Sequence, residues 1–307
     1  MIEWLKLIFG YLVFPGLMFS AFMGMLASWA DRKVTARLQY RKGPPWYQPF
    51  ADALKLLGKE MIVPEGAARA VFISAPLFGL AAAALAATII WQGNVDRSAG
   101  FIGDLIVALY LLTVPSLAIV IGGSASRNPL AAVGASREMK LVLAYELPFT
   151  IAVFTVAAQA NSILIGNIAG RAPVLTLSGL IAFVVALLVA QAKLGFVPFD
   201  IAEADQEIMA GALLEYSGPG LLLFRLAKSV LLFVIPLFLI TVFLGGIDVS
   251  SIAGIVLFIL KYILVLVLMI LIKNTNPRLK IDQAVRFFWG PVTVMAAAAF
   301  ICALIGW

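Results

Sequence analysis

Apolar runs of about twenty residues recur along the chain, and they constrain its fold more than any other feature. A run of that length crosses the hydrocarbon core of a bilayer as a helix. Eight are read, at about 5–29, 70–92, 101–122, 141–160, 174–197, 230–245, 252–272 and 288–306, the sixth being the shortest. The runs are continuous and do not alternate, which excludes a β-barrel and predicts an all-α polytopic membrane protein. Residues 1–307 are read as a single integral membrane domain of about eight transmembrane helices plus an amphipathic surface helix. A soluble domain has about a quarter of its residues charged, whereas here 12 % are charged and the mean hydropathy is +1.05. Five of the six tryptophans, Trp4, Trp29, Trp91, Trp289 and Trp307, fall at span ends, where amphipathic rings prefer the headgroups. Glu3 opposes a basic leader and the first run is long, so it is read as a span and not as a cleavable signal. No inverted repeat of the kind many transporters carry is evident.

The excess of 22 Lys and Arg over 16 Asp and Glu would suit nucleic acid, but its distribution assigns it to membrane topology. The loops after the first, third, fifth and seventh spans, about 30–69, 123–140, 198–229 and 273–287, carry 17 of these cations. The opposite side carries Lys6, Arg97 and Arg171. This bias predicts that those four loops are cytoplasmic and both termini outside, in a multi-pass protein of the cell membrane with no nucleic-acid partner. There is no histidine, and the one cysteine, Cys302, lies in the last apolar run. No disulfide can form within the chain, and no iron–sulfur cluster, haem or histidine-ligated zinc is expected in it. Redox chemistry, if any, belongs to partner chains.

The stretch Pro198–Gly218, PFDIAEADQEIMAGALLEYSG, holds five acids and no base: Asp200, Glu203, Asp205, Glu207 and Glu215. Membrane-depth sequence flanks it on both sides, so ionised carboxylates here are costly to keep. If residues 203–207 are helical, Glu203 and Glu207 share one face a turn apart, with Asp200 three residues before. Crowding of like charge and partial burial favour protonated carboxyls, and such a set can exchange a proton or hold a cation near neutral pH. A solvated acidic loop on the membrane face is the alternative, and both readings stay open.

Glu146 lies within the fourth span, with Pro148 just after it. An acid at that depth faces protein or water, either on an ion route or in a structural pair with Lys193 or Lys261, the two cations within spans. Lys193 is near a span end and can snorkel to the surface, whereas Lys261 is mid-span. Asp104 opens the third span and suits an interfacial position.

The first cytoplasmic loop begins with Arg32, Lys33, Arg37, Arg41 and Lys42, then breaks at Gly43-Pro44-Pro45. From Pro49 a helix is predicted, with Phe50, Leu54 and Leu57 on one face and Asp52, Lys55 and Lys59 on the other, lying flat on the membrane. Ordinary positive-inside charge accounts for most of these cations. The Gly-Pro-Pro turn fixes a shape suited to docking.

Four motifs in order, DRKVTARLQYRKGP, QPFADALKLLGKE, GASRE with AYELP, and PFDIAEADQEIMAGALLEYSG, carry a family resemblance over nearly the whole chain. Together they resemble the membrane subunit that joins the two arms of respiratory complex I, called subunit 1 or the H subunit. The same subunit recurs in energy-converting nickel–iron hydrogenases, formate hydrogenlyase and ferredoxin-dependent sulfane reductases. Two details are similar to this second branch. Only Pro45, Trp46 and Tyr47 separate Gly43-Pro44 from Gln48-Pro49, where quinone-reducing relatives carry a longer insert. The stretch Gly211 to Gly218 also looks more like the hydrogenase version. One departure stands out: Lys193 and Phe196 occupy places where complex I relatives tend to have a glutamate and an arginine.

The resemblance implies a non-catalytic subunit of an ion-translocating redox complex. Iron–sulfur clusters, and a nickel–iron centre in the hydrogenase case, would lie in peripheral catalytic subunits. Antiporter-like membrane subunits and lipid would complete a hetero-oligomer. By match to the motifs, Glu146, Asp200, Glu203, Asp205, Glu207 and Glu215, with Lys193 and Lys261 nearby, would form the ion path. Arg32, Arg37 and Arg41, with Gly43 and Pro44, would form the floor beneath the peripheral arm. The corresponding subunit of a quinone-reducing complex I, a free-standing ion transporter and a passive anchor are the alternatives.

Overall fold

The structure, a computed structural model, describes residues 2–97, 100–209, 211–249 and 251–306. The side chains of Glu3, Lys6 and Asp205, and Trp307 as a whole, lie outside that description. Among the described residues the architecture is all-helical, with a single isolated bridge between Ala169 and Arg171. Seven helical stretches among the described residues are long and apolar enough to cross a membrane, and an eighth, shorter apolar helix joins them.

The first expected span is two helices, α1 (Ile2–Leu12) and α2 (Leu17–Leu38). Pro15 and Gly16 separate them, and Gly16 closes the bend because a Cβ there would sit 1.7 Å from the carbonyl oxygen of Tyr11. α2 continues through Arg32 and Arg37 to Leu38, so the start of the expected basic loop is helix. α3 (Gln48–Leu57) follows with Pro49 in its first turn, as predicted. Pro49 and Leu56 are its buried side, while Leu54 and Leu57 remain exposed, the arrangement of a surface helix with an apolar face toward lipid.

α4 (Arg69–Val95) is one span. The next is broken into α5 (Asp104–Leu111) and α6 (Val114–Ala125), because Pro115 has no amide hydrogen for the preceding turn. The break frees Thr113, which matters below. α7 (Pro129–Ala160) is 32 residues long and starts twelve residues earlier than the apolar run. The side chain of Asn128 caps it by accepting the Leu130 amide at 2.8 Å. After the short α8 (Ile165–Ile168), α9 (Leu177–Lys193) begins at the Thr176 cap, whose hydroxyl accepts the Gly179 amide. α10 (Asp205–Ile208) is a single turn.

α11 (Gly218–Phe243) corrects the expectation of a short sixth span: it is 26 residues and begins inside the supposed loop. Beyond Lys228 it is apolar all round and almost wholly buried, as an apolar helix at the centre of a bundle must be. α12 (Ile252–Thr275), α13 (Ile281–Phe287) and α14 (Thr293–Ile305) complete the chain, the last two joined through a π-helical turn at Phe288–Val292. Small residues allow the closest crossings. A Cβ on Gly24 of α2 would lie 2.2 Å from the Ser229 carbonyl oxygen of α11.

Candidate functional site

The acidic stretch is not one helix. Residues 198–204 are irregular, anchored where the Leu279 amide donates to the Pro198 carbonyl at 3.0 Å. Glu203 precedes α10 and does not share a helical face with Glu207. It turns inward to pair with Lys228 of α11, while Glu207, 61 % exposed, pairs with Arg137 of α7 at 2.6 Å. Asp200 pairs with Arg278 at 2.6 Å. Burial pushes the Asp200 carboxyl above its ordinary range, and the Arg278 guanidinium opposes that shift. Glu215 stands apart: it accepts a hydrogen bond from Asn128, the cap of α7. The side chain of Asp205 lies outside the described residues.

Deeper in the bundle, Lys193, Glu146 and Thr113 close a triangle. The Lys193 ammonium donates to Glu146 Oε2 at 2.9 Å and to Thr113 Oγ1 at 2.8 Å, and the Thr113 hydroxyl donates to Glu146 Oε1 at 2.9 Å. The rings of Tyr145 and Phe149 lie 5.0 and 4.9 Å from the ammonium, within cation–π range. Lys193 therefore does not snorkel; its side chain is 1 % exposed. Lys261 takes no part. It reaches the carbonyls of Leu244 (2.6 Å) and Gly246 (3.5 Å) just past the end of α11, where a cation complements the helix dipole. Asp104, expected at the interface, is buried and accepts the Ile165 amide at 2.8 Å.

Two residues that sequence reasoning does not single out complete the site. Glu138 of α7 is buried, shares a cavity with Ser116, and lies within electrostatic reach of Lys228, Glu203 and Asp200. Lys228 of α11 lines the same cavity as those acids and interacts with all three. Glu138 ends the GASRE motif, and that motif, with the Asn128-Pro129 cap that starts its helix, is the available signal.

These side chains line two adjoining spaces. An inner cavity of about 20 Å³ is walled by Ser116, Glu138, Lys193, Asp200, Glu203 and Lys228; a space of that size holds about one water. A cleft of about 290 Å³ lies beyond it, with Ser28, Asp31, Phe196 and Lys273 on its far wall. Lys273 donates to both oxygens of Asp31, at 3.0 and 2.7 Å, and lies 4.3 Å from the Phe196 ring. The site thus alternates basic and acidic groups from a half-exposed linker to a buried pair. Among the described residues, no three acidic or thiol side chains converge to suit a metal ion.

On the surface at the same end of the bundle, Arg32 pairs with Asp52 of α3 at 3.1 Å. The Trp29 indole donates to the Pro44 carbonyl at 3.1 Å, and Gly43 packs on Lys33 and Ala36, so the turn is fixed against α2. Arg37 and Arg41 are at least partly exposed.

A family model described as NADH dehydrogenase matches residues 12–304. The chain is 35 % identical to the H subunit of the NADH-quinone oxidoreductase of Thermomicrobium roseum, over 94 % of this chain and 92 % of that one. It is 34 % identical to an H subunit, the one numbered 2, of the NADH-quinone oxidoreductase of Syntrophobacter fumaroxidans, over 85 % and 84 %. A chain in the solved structure of the membrane-bound sulfane sulfur reductase, an archaeal respiratory membrane complex, superposes with a TM-score of 0.84. It is 31 % identical, with 94 % of this chain and 96 % of that chain covered.

Proposed function

The chain belongs to the NADH dehydrogenase family of membrane subunits, and on that premise we propose that it couples electron transfer to ion translocation in a ferredoxin-driven complex. As a membrane subunit of a complex I-like assembly it works among other subunits. Peripheral subunits holding iron–sulfur clusters, with or without nickel–iron, dock on the surface of Arg32, Arg37, Arg41 and the Gly43-Pro44 turn. Antiporter-like subunits take up the ion step. One observation carries this reading: Glu138, Asp200, Glu203 and Lys228 face a shared cavity at the boundary between linker and bundle. Moving one charge against 100 mV requires about 2.3 kcal/mol, and one unit of pKa corresponds to about 1.4 kcal/mol. A change of about two units in one carboxyl of the set therefore matches one charge moved.

The test is ions pumped per electron by the assembled complex in proteoliposomes. Glu138→Gln and Glu203→Gln are expected to lower the ratio, while Glu207→Gln, on the exposed side, leaves it intact. Normal pumping in both inner variants would remove the acids from the path. The quinone-reducing reading rests on the names of the curated relatives. The short connection from Gly43-Pro44 to Gln48 and the superposition on the chain of the sulfane sulfur reductase complex support the ferredoxin branch. Subunits that co-purify, assayed together with quinone reductase activity, decide between the two.

A further inference from the structure

Lys228 stands in the partition between the inner cavity and the outer cleft. Both spaces are lined by Leu194, Gly195, Asp200, Glu203 and Lys228, whereas Ser116 and Glu138 face only the inner one and Asp31 and Lys273 only the outer one. The ammonium is held by Glu203, across from Gly195, where a Cβ would sit 4.0 Å from Nζ. Gly195 has φ +61°, a conformation natural to glycine. Beyond the partition Glu138 is buried, within electrostatic reach of Lys228, and among the described residues it forms no ion pair with a cation. The other charged groups around Lys228 are already engaged. Asp200 of the linker is bound to Arg278, Lys193 of α9 to Glu146 of α7, and Asp31 of α2 to Lys273 of α12. The lysine therefore has one carboxylate holding it and one facing it on the far side of the wall it forms.

We propose that Lys228 is a gate whose ammonium moves from Glu203 to Glu138 when Glu203 takes up a proton, joining the cleft to the inner cavity. This rests on the reading of the acids as an ion path and names the group that controls it. The step balances without any oxidant or reductant. A hydronium ion in the cleft breaks one O–H bond and is left as water while its proton forms an O–H bond on Glu203; the carboxyl loses its charge, and the lysine, protonated throughout, transfers its contact to Glu138. The proton then leaves Glu203 for water in the joined space, and the restored carboxylate draws the ammonium back. A side chain that only fills space would not depend on its charge or on that of Glu203.

The experiment reads the wall directly. In the assembled complex, with Cys302→Ser to remove the native thiol, Ser116→Cys places a thiol on the inner cavity. Its reaction rate with the small cationic reagent aminoethyl methanethiosulfonate is followed by intact-subunit mass spectrometry. The parent and Lys228→Arg are expected to react slowly. Lys228→Met, similar in length but uncharged, and Glu203→Gln, which leaves the lysine in place, are each expected to react at least about tenfold faster. Slow labelling in both uncharged variants overturns the gate. The pumping ratio separates this failure from failure of the ion path: a path without a gate loses pumping in Glu138→Gln yet labels slowly throughout. Labelling that accelerates while Glu138→Gln pumps normally leaves a gate but removes the path on which the proposal rests, and so overturns it too. If Lys228→Met does not assemble, Glu203→Gln carries the test alone.

Discussion

Neutralising Glu146 should weaken the bundle more than neutralising both Glu146 and Lys193. In Glu146→Gln the ammonium stays in a site where its side chain is 1 % exposed, with the Thr113 hydroxyl at 2.8 Å and two aromatic rings near 5 Å as its remaining company. Breaking a buried pair on one side costs about 3–5 kcal/mol. The amide oxygen of the new glutamine keeps one hydrogen bond, worth about 1 kcal/mol, so a net loss of about 2–4 kcal/mol is expected. Lys193→Met should cost less, about 1–3 kcal/mol, because Glu146 is 21 % exposed and retains the Thr113 hydroxyl. The double variant Glu146→Gln/Lys193→Met removes both charges and should return to within about 1–2 kcal/mol of the parent. Chemical denaturation of the purified complex in detergent, arranged as a double-mutant cycle, reads these differences. Losses that add to within about 0.5 kcal/mol would show that the two residues do not interact, and would refute the reasoning. The same variants separate two roles for Glu146, since a purely structural pair predicts that the double variant pumps as many ions per electron as the parent.

Glu207→Gln, which breaks an exposed pair with Arg137, should shift stability by no more than about 1 kcal/mol, less still at high salt, in the same denaturation assay. Asp200 links stability to pH, because burial raises its carboxyl above the ordinary 3.8. As pH rises past that value the unfolded chain releases its proton before the folded one, so the stability Asp200 contributes falls across the window above it. Asp200→Asn should flatten that dependence in thermal unfolding measured against pH, and Arg278→Ala, which removes the opposing cation, should widen the window upward. Gly24→Ala should cost about 1–3 kcal/mol by overpacking, since its Cβ would enter the Ser229 carbonyl of α11. A melting temperature unchanged from the parent would show that the α2–α11 crossing has slack.

The eight apolar segments are legible in the sequence because hydropathy reports where a helix meets lipid. It does not report where the helix ends. α7 and α11 each begin twelve residues ahead of their apolar runs. In those leading turns Glu138 and Lys228 face protein, so no lipid penalty keeps the sequence apolar there. Hydropathy alone consequently assigns both residues to loops. Lys193 and Lys261 illustrate the same limit in the other direction. Each is a cation in an apolar helix, yet one closes a buried pair with Glu146 and the other satisfies carbonyls past the end of α11. Nothing in the local sequence separates these fates, because both depend on what a distant helix presents.

The arrangement of the acidic stretch follows from its irregular backbone. Were residues 200–207 a continuous helix, Glu203 and Glu207 would repel each other on one face. Broken as it is, the stretch distributes its acids among cations on α7, α11 and the segment between α12 and α13. Phe199 adds an apolar contact, its ring 4.7 Å from that of Phe288 in the π-helical turn, and Phe288 in turn lies 6.3 Å from Tyr145, the residue before Glu146. A displacement of the segment around Arg278 must therefore move Asp200 and Phe199 or break their contacts, and packed rings at these separations leave little room for either to yield alone. The surface acids and the buried Glu146–Lys193 pair are thus joined by an aromatic column as well as by a charge series. Replacing Phe288 with alanine, which empties the middle of that column, should cost about 3–5 kcal/mol, whereas leucine keeps most of the volume and should cost markedly less. Equal losses for the two substitutions would mean that the contact between Phe199 and Tyr145 through Phe288 is not what holds the linker in place.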